Sequence, residues 1–346
     1  MKFIHCADIH LDTPLQGLAH YPGAPVDEIR NATRRAFEKV LDTALSEKVD
    51  FLVIAGDLYD TGLKSFESAL FFNKQMARLN DAGIGVYLLH GNHDAASKLI
   101  KQLRPPKNVH IFQANEPQTF TDEELRIAIH GQSFATPEII DDLASNYPPP
   151  VQGLFNIGVL HTNLSGISEH ANYAPCSLET LKNKGYQYWA LGHVHNRQIL
   201  CTDPYIVFPG NIQGRHGKEP GEKSCELVTV SDVGTVSIVP ISTSVVPWIH
   251  VDIDVSGCLT GDDVYERSIQ DQRSVSGDIR KRLRLLSVEK REAKQVESMR
   301  AFSEWSRRWD PIIAGLLLPE ASTPETVGEA LVLLEKVFDH LKDADR

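Results

Sequence analysis

Five short polar motifs, each directly behind an apolar run, contain the residues best suited to chemistry. The runs are rich in β-branched and aromatic residues and predict buried strands. In layered α/β folds, ligands bind in the crevice beyond the carboxyl ends of the strands. The pattern therefore predicts that carboxylate, imidazole and amide side chains meet at one edge of a sheet. They are carried by Asp8-Ile9-His10, Gly56-Asp57-Leu58-Tyr59-Asp60, Gly91-Asn92-His93-Asp94, His161-Thr162-Asn163 and Gly192-His193-Val194-His195.

This set of donors favours divalent metal ions. Imidazole, carboxylate and amide oxygen without thiolate suit Mn, Fe or Zn rather than a structural zinc. In Asp-x-His and His-x-His, both side chains lie on the same face of an extended segment. Asp57 comes from a middle motif and could bridge two ions. Two ions ~3.5–4 Å apart can activate a hydroxide and stabilise both oxygens of a phosphoryl transfer, and His93 could assist the leaving oxygen.

Each motif taken alone also has a structural interpretation. Asp-x-His at a strand end is often a surface pair, Gly-Asp is a common turn dipeptide, and Gly-Asn-His-Asp could be only a loop. A single His161 is more often a hydrogen-bonded core histidine. Five such motifs in order, each behind a strand, favour the metal site.

Composition bounds the class of protein. The 346 residues, 42% apolar and 23% charged, are typical of a globular protein with one large and one smaller domain. Five cysteines without a C-x-x-C pair predict reduced thiols in a cytoplasmic protein, and no apolar run is long enough to predict a membrane span. The net charge of -11 argues against a nucleic-acid partner. However, residues 278–309 form a basic island, so charge does not decide the substrate.

The chain divides near residue 245. Before it, strands alternate with helical segments at 27–48, 65–80 and 177–183. Short strands follow at 206–208, 225–230 and 235–240, with a hairpin turn at 232–234. A further strand at 246–255 and then only helices are predicted, ending in an amphipathic helix at 325–341. We expect a catalytic domain at 1–245 and a small, mostly helical region at 246–346.

Several longer strings carry a family resemblance over roughly residues 1–250: FIHCADIHLDTPLQGL, GDLYDTG, HGNHD, HTNLSG, NYAPCSL, YWALGHVH and VFPGNIQGRH. They resemble the calcineurin-like metallophosphoesterase superfamily, and within it the bacterial SbcD-type DNA repair exonucleases of the YhaO-like branch. The resemblance implies an α/β fold in which a four-layer β-sandwich is flanked by helices.

The resemblance also assigns roles to the site residues. One ion would be held by Asp8, His10, Asp57 and His195, and the second by Asp57, Asn92, His161 and His193. Asp57 bridges them. His93 is implied as the catalytic histidine and Asp60 as the carboxylate that orients it. The alternative for Asp60 is a helix cap, and Asp94 is interpreted as structural, with a supporting position behind the ligands as its alternative.

The activity implied is Mn²⁺-dependent phosphodiester hydrolysis, with Fe²⁺, Zn²⁺ or Mg²⁺ as alternatives. It is typically that of a 3′-to-5′ DNA exonuclease with some endonuclease activity, acting in repair, recombination or defence. A homodimer and an SbcC-type coiled-coil ATPase are the implied partners. Two other functions stay open: a phosphodiesterase or phosphatase for nucleotides or small phosphoesters, and a weakly active metal-bound platform in a larger complex.

The C-terminal region departs from the resemblance. Relatives carry a DNA-contacting cap, whereas about 100 residues follow Val246 here, which predicts a reduced cap or a partner-binding region. The basic segment 280–308 could contact phosphates with help from Trp305 and Trp309, or form a solvated helix. The helix at 325–341 could bind a partner helix or dock on its own domain.

Overall fold

The computed structural model describes residues 1–13, 31–60, 66–96, 105–164, 173–216, 218–248, 256–258, 263 and 267. Its helices are α1 (Ala32–Ser46), α2 (Glu67–Asp81), α3 (Asn92–Ala95) and α4 (Leu178–Asn183), with a 3₁₀ turn at Ala144–Asn146. The strands are β1 (Lys2–Cys6), β2 (Phe51–Ala55), β3 (Gly85–Leu89), β4 (Val109–Ile111), β5 (Gln118–Asp122), β6 (Ile127–Gly131), β7 (Phe155–His161), β8 (Tyr188–Gly192), β9 (Gln198–Thr202), β10 (Tyr205–Phe208), β11 (Ser224–Val230) and β12 (Val236–Ser242).

These strands form two six-stranded mixed sheets. The first has the order β12-β11-β1-β2-β3-β4 and the second the order β5-β6-β7-β8-β10-β9. Strands β1 to β4 are parallel, and so are β6, β7, β8 and β10, while the antiparallel strands lie at the margins. The α/β fold class, two mixed sheets flanked by helices, is confirmed.

The five strands that precede the motifs do not share one sheet, so that expectation is wrong. Strands β1, β2 and β3 lie in the first sheet, and β7 and β8 lie in the second. The physical reason is visible in the side chains of the strands. Both sheets bury apolar residues on two faces, so both give the same continuous apolar runs in the sequence.

Three apolar layers hold this architecture together. One packs helices α1 and α2 on the first sheet, through residues such as Phe37, Leu41 and Met76. A second lies between the sheets and includes Phe3, Val53, Ile157, Tyr188 and Val207. The third covers the far face of the second sheet with Tyr147, Leu181, Tyr186 and Trp189. Burial on this scale, at about 25 cal/mol per Å² of apolar surface, fixes the strands that carry the motifs.

Alternation along β1 shows how a strand serves two layers. Ile4 and Cys6 face the helices, whereas Phe3 and Ala7 face the other sheet. Successive side chains of a strand point to opposite faces, so a one-residue slip would exchange the two sets. The register of β1 against β2, which pairs Phe3 with Phe51, is therefore set by burial on both sides.

Several local predictions are confirmed. The helix predicted at 177–183 begins after Ser177, whose side chain accepts a hydrogen bond from the Thr180 N–H at 2.9 Å. Strands β11 and β12 form the antiparallel hairpin expected around residues 232–234. The helices predicted at 27–48 and 65–80 correspond to α1 and α2 within the described residues.

The chain separates into two compact units. The first contains residues 1–14, 31–214 and 222–245 and holds every strand and helix named above. The second contains residues 15–30, 215–221 and 246–346, and in it the Gly221 N–H donates to the Trp248 carbonyl at 2.8 Å. The basic segment 280–308, the helix at 325–341 and most of the strand predicted at 246–255 lie outside the described residues.

Among the described residues, no helix is both long and apolar enough to cross a membrane. The cytoplasmic location stays a prediction, as does the domain boundary at residue 245.

Candidate metal centre

The nine predicted site residues follow the carboxyl ends of five strands. Asp8 and His10 follow β1, Asp57 and Asp60 follow β2, Asn92 and His93 follow β3, His161 ends β7, and His193 and His195 follow β8. All are buried except His93 and His195, which are partly exposed. The structure thus brings residues from both sheets to one end of the sandwich.

Their donor atoms converge in three overlapping groups, within each of which the atoms lie within 4.8 Å of one another. The groups are Asp8 with His10 and His195, Asp8 with Asp57 and His161, and His10 with Asp60 and His93. The first group contains three of the four residues expected at one ion. The second contains two residues expected at the other ion, together with Asp8.

Asp57 occupies the position expected of a bridging ligand. Its Oδ2 atom lies 3.8 Å from His10 Nε2 and 3.4 Å from His161 Nε2. His10 is expected at one ion and His161 at the other. One carboxylate oxygen therefore lies within reach of both sets of ligands.

Asn92 and His193 complete the set. The Oδ1 atom of Asn92 lies 3.0 Å from His161 Nε2. The ring of His193 packs edge-on against the ring of His161, with 5.2 Å between centroids. The His193 backbone N–H donates to both carboxylate oxygens of Asp8, at 3.1 and 3.0 Å. His193 is thus close to the site through its ring and its backbone, although it belongs to none of the three groups.

The nitrogen and oxygen atoms fit a cation. His161 Nδ1 lies 2.9 Å from the Ala55 carbonyl, which only accepts, so Nδ1 carries the hydrogen. His161 Nε2 lies beside the oxygens of Asn92 and Asp57. A positive charge is favourable between these atoms, either as the Nε2 proton of a charged ring or as a metal ion that replaces it. The His10 and His195 Nε2 atoms lie 3.3 Å apart, close enough for one ring to donate a hydrogen bond to the other or for both nitrogens to bind one ion.

The buried carboxylates of Asp8 and Asp57 also need a positive charge nearby. Burial raises the pKa of the Asp8 carboxyl above its ordinary value, and the nearby His195 and His161 oppose that effect. Burial would also raise the pKa of Asp57, but His161, His10 and His93 lower it below the ordinary value. Burial lowers the pKa of His161, yet Asp57 outweighs it and the pKa rises to about 9. Two adjacent buried carboxylates are stable as anions only beside positive charge.

Backbone strain is concentrated at the same residues. Asp8, His10, Asp57 and His193 have φ angles of 51°, 48°, 51° and 100°. Residues other than glycine rarely adopt positive φ, and each such position costs on the order of 1–3 kcal/mol. Strain of this kind gathers at functional sites because the surrounding structure fixes ligand directions against the local preference.

Two of the motif glycines are required by close packing. A side chain on Gly91 would overlap the Asp57 carboxylate and come within 2.9 Å of the His161 ring. A side chain on Gly192 would overlap the Ala55 carbonyl oxygen. The Gly-Asn-His and Gly-His-x-His motifs therefore begin with glycine because the ligand loops approach one another closely there.

The seven predicted metal ligands form one group of side chains, here called the ligand cluster: Asp8, His10, Asp57, Asn92, His161, His193 and His195. His93 is held at the edge of the ligand cluster. Its Nδ1 lies 3.0 Å from Asp60 Oδ1, and its backbone N–H donates to Asp57 Oδ1 at 3.0 Å. Its ring packs edge-on against His10, with 4.8 Å between centroids. The side chain is 28% exposed, so a substrate can reach it. This is the arrangement expected of a proton donor beside a metal site, oriented by a carboxylate.

Asp94 is more important to the site than the sequence indicated. Its carboxylate accepts hydrogen bonds from the backbone N–H groups of Leu58 (3.1 Å), Tyr59 (2.8 Å) and Gly91 (3.1 Å). It therefore joins the loop after β2 to the loop after β3. The sequence signal for this role was the spacing, because Asp94 lies three residues after Gly91, as the acidic residue of a capping box does.

Comparison with known proteins agrees with this geometry. Residues 1–197 match the calcineurin-like phosphoesterase family. The chain is 38% identical over 260 residues to the uncharacterized metallophosphoesterase YhaO of Bacillus subtilis. The matched region covers 74% of this chain and 64% of that protein. It is 24% identical over 230 residues to the DNA double-strand break repair protein Mre11 of Methanopyrus kandleri, covering 61% of this chain and 48% of that protein.

The Mre11 protein of Sulfurisphaera tokodaii is 25% identical over 208 residues, covering 58% of this chain and 51% of that protein. The chain thus spans about half to two thirds of the length of these relatives. The family uses a dinuclear metal site, for which this chain has candidate ligand groups. The match over more than half of the sequence shows that the chain belongs to the calcineurin-like phosphoesterase family.

Proposed function

We propose that this member of the family is a two-metal phosphodiesterase that degrades DNA from 3′ ends, with some endonuclease activity. In this proposal, Asp8, His10, Asp57 and His195 hold one divalent ion, and Asp57, Asn92, His161 and His193 hold the other. The observation that carries the hydrolytic part is the partly exposed His93, fixed by Asp60 at the edge of the buried ligand cluster.

The chemistry divides between the ions and the side chains. When bound, two divalent ions supply an activated hydroxide and positive charge for the phosphoryl oxygens. The Nδ1–H of His93 is directed at the Asp60 carboxylate, an acceptor only, so the transferable proton is the second one, which the protonated ring carries at Nε2 and gives to the leaving oxygen. Asp57 fixes the His93 backbone through Oδ1 while its Oδ2 faces the ligand histidines.

The choice of DNA as substrate rests on the relatives. Two of them are named as DNA double-strand break repair proteins, at 24% and 25% identity. The motifs themselves specify phosphoester chemistry and not the alcohol that leaves. The finer assignment to SbcD-type exonucleases therefore belongs to this proposal, as do Mn²⁺ as the native metal, a homodimer and an SbcC-type ATPase partner.

A single comparison tests the proposal. The full chain, loaded with Mn²⁺, is incubated in parallel with single-stranded DNA, duplex DNA and bis(p-nitrophenyl) phosphate. Each DNA is labelled at either the 3′ or the 5′ end. The expected result is chelator-sensitive cleavage of the small diester together with early loss of the 3′ label and gradual shortening of the 5′-labelled strand.

Three other results would overturn parts of the proposal. Cleavage of the small diester without degradation of either DNA would identify a hydrolase for nucleotides or other small phosphoesters. Early loss of the 5′ label would reverse the polarity. Firm Mn²⁺ binding without hydrolysis of any substrate would favour a metal-bound platform subunit.

A further inference from the structure

His5 is a buried polar residue that the proposed chemistry does not use. It lies on β1, three residues before Asp8, and is fully buried. Its neighbours on the same face of the strand, Phe3 and Ala7, belong to the apolar layer between the sheets. Burial of an imidazole in such a layer is costly unless its nitrogens are hydrogen-bonded.

Both nitrogens of His5 have partners on β8, in the opposite sheet. Nε2 lies 3.1 Å from the Leu191 carbonyl oxygen, and Nδ1 lies 3.0 Å from the Tyr188 hydroxyl. Because the carbonyl only accepts, the hydrogen resides on Nε2, and Tyr188 donates to Nδ1. Burial, opposed in part by the Leu191 hydrogen bond, lowers the pKa of His5 to about 3, so the ring is neutral at ordinary pH.

The Leu191 carbonyl lies just before the strained turn that carries His193. Gly192 follows it, and then His193 with φ of 100°. The His193 N–H returns to the Asp8 carboxylate at 3.0–3.1 Å. The end of β1 and the end of β8 are therefore joined twice, once by the His5 side chain and once by the Asp8 side chain.

We propose that His5 is a positioning residue for the metal centre. By fixing the last residues of β8 against β1, it holds the His193 turn in the conformation that meets Asp8. It acts through these two residues and does not touch substrate. The inference rests on the proposed function, in which Asp8 and His193 are metal ligands.

The expected magnitude follows from the role of outer-shell partners. Loss of a residue that orients a ligand typically weakens metal binding by roughly 10–100-fold. The φ of His193 is strained at 100°, so we expect the turn to relax once its anchor is removed. We therefore expect substitution of His5 to change metal affinity more than it changes the stability of the fold.

The experiment compares two buried histidines in the full chain. His5→Met removes both hydrogen bonds, and His5→Gln keeps an N–H donor for the Leu191 carbonyl. His130→Met is the matched control, because His130 is also buried with both nitrogens bonded, to Thr119 at 2.8 Å and to Asn156 at 3.0 Å. Mn²⁺ affinity is measured by calorimetric titration of chelator-treated protein, and thermal melting is recorded for each variant.

We expect His5→Met to weaken Mn²⁺ binding by about tenfold or more, with His5→Gln recovering most of the loss. His130→Met should lower the melting temperature and leave Mn²⁺ affinity within about twofold of wild type. Wild-type affinity in His5→Met would overturn the inference. Equal losses in His5→Met and His130→Met would also overturn it, because affinity would then follow general stability.

Two further variants complete the test. If His5→Met does not fold, Tyr188→Phe replaces it, and an affinity loss of about threefold or more supports the inference while an unchanged affinity overturns it. Asp8→Asn distinguishes a failure of the His5 inference from a failure of the proposed ligand assignment. Loss of Mn²⁺ in Asp8→Asn with normal binding in the His5 variants removes only the role of His5. Normal binding of both ions in Asp8→Asn removes the ligand assignment, and the inference with it.

Discussion

His93 and Asp60 form a fixed pair at the edge of the ligand cluster, with 3.0 Å between Nδ1 and Oδ1. Asp60 is buried, whereas the His93 side chain is partly exposed. The Asp60 carboxylate therefore occupies Nδ1 of His93 and leaves Nε2 as the ring nitrogen for a substrate. Because His93 also donates its backbone N–H to Asp57, the pair is aligned with the predicted bridging residue.

His93→Gln should keep both metal ions and lose turnover. Loss of general acid assistance typically costs a factor of about 10²–10⁴. Turnover of bis(p-nitrophenyl) phosphate and metal content by mass spectrometry are measured on the same sample. His110→Gln, which changes a histidine stacked on Tyr87 away from the site, is the control. Wild-type turnover in His93→Gln would remove His93 from the mechanism.

Asp60→Ala should lower turnover by a smaller factor than His93→Gln, because the imidazole remains but is no longer oriented. Groups that act as a unit are not additive in their effects. The double variant should therefore turn over at the rate of His93→Gln alone. Kinetics of the two single variants and the double variant test this, and multiplicative losses would show that Asp60 acts independently of His93.

Asp57→Ala should abolish metal-dependent hydrolysis and lower the occupancy of both ions. The reason is that Asp57 Oδ2 lies within 3.8 Å of His10 Nε2 and 3.4 Å of His161 Nε2. Asp42→Ala, which changes an exposed aspartate paired with Arg78, serves as the control and should keep two ions per chain. Unchanged occupancy of both ions in Asp57→Ala would refute the bridging assignment.

The strands and the identity of the clustered residues were predictable, because both depend on local pattern. Apolar runs located β1, β2, β3, β7 and β8, and the polar residues directly behind them are those that converge. The Ser177 cap was predictable for the same reason: its hydrogen bond spans three residues.

The relationships between distant segments were not predictable. Nothing in the apolar run at residues 186–191, YQYWAL, indicates that β8 lies in a different sheet from β1, because a strand buried on both faces gives the same pattern in either sheet. The hydrogen bond from His5 to Leu191 spans 186 positions in the sequence, and no local period encodes it. The positive φ of Asp8 and His193 depends on contacts between loops, and only the glycines in the motifs suggested such crowding.

Gly91→Ala should weaken metal binding although it adds only a methyl group. The new Cβ would overlap Asp57 Oδ1 and lie 2.9 Å from the His161 ring, so the bridging carboxylate must move. We expect Mn²⁺ affinity to fall by roughly tenfold, as for other changes that misplace a ligand. Gly85→Ala is the control, because its nearest contact would be an ordinary 3.9 Å to the Tyr87 ring. Equal Mn²⁺ affinity in the two variants would contradict the crowding argument.

Arg197→Ala should destabilise the fold by leaving a buried carboxylate without its partner. Arg197 binds Glu226 through Nε at 2.5 Å and Nη2 at 3.1 Å, and Glu226 is fully buried on β11. Breaking a buried pair costs about 3–5 kcal/mol, and we expect the lower end because the Arg197 side chain is 35% exposed. Urea unfolding of metal-free protein measures the loss of free energy. The exposed pair of Arg78 and Asp42 provides the contrast, since Arg78→Ala should cost at most about 1 kcal/mol.

The double variant Arg197→Met with Glu226→Gln removes both charges and should recover much of the loss. A double variant no more stable than Arg197→Ala would show that packing of the arginine, and not the unpaired carboxylate, determines the effect.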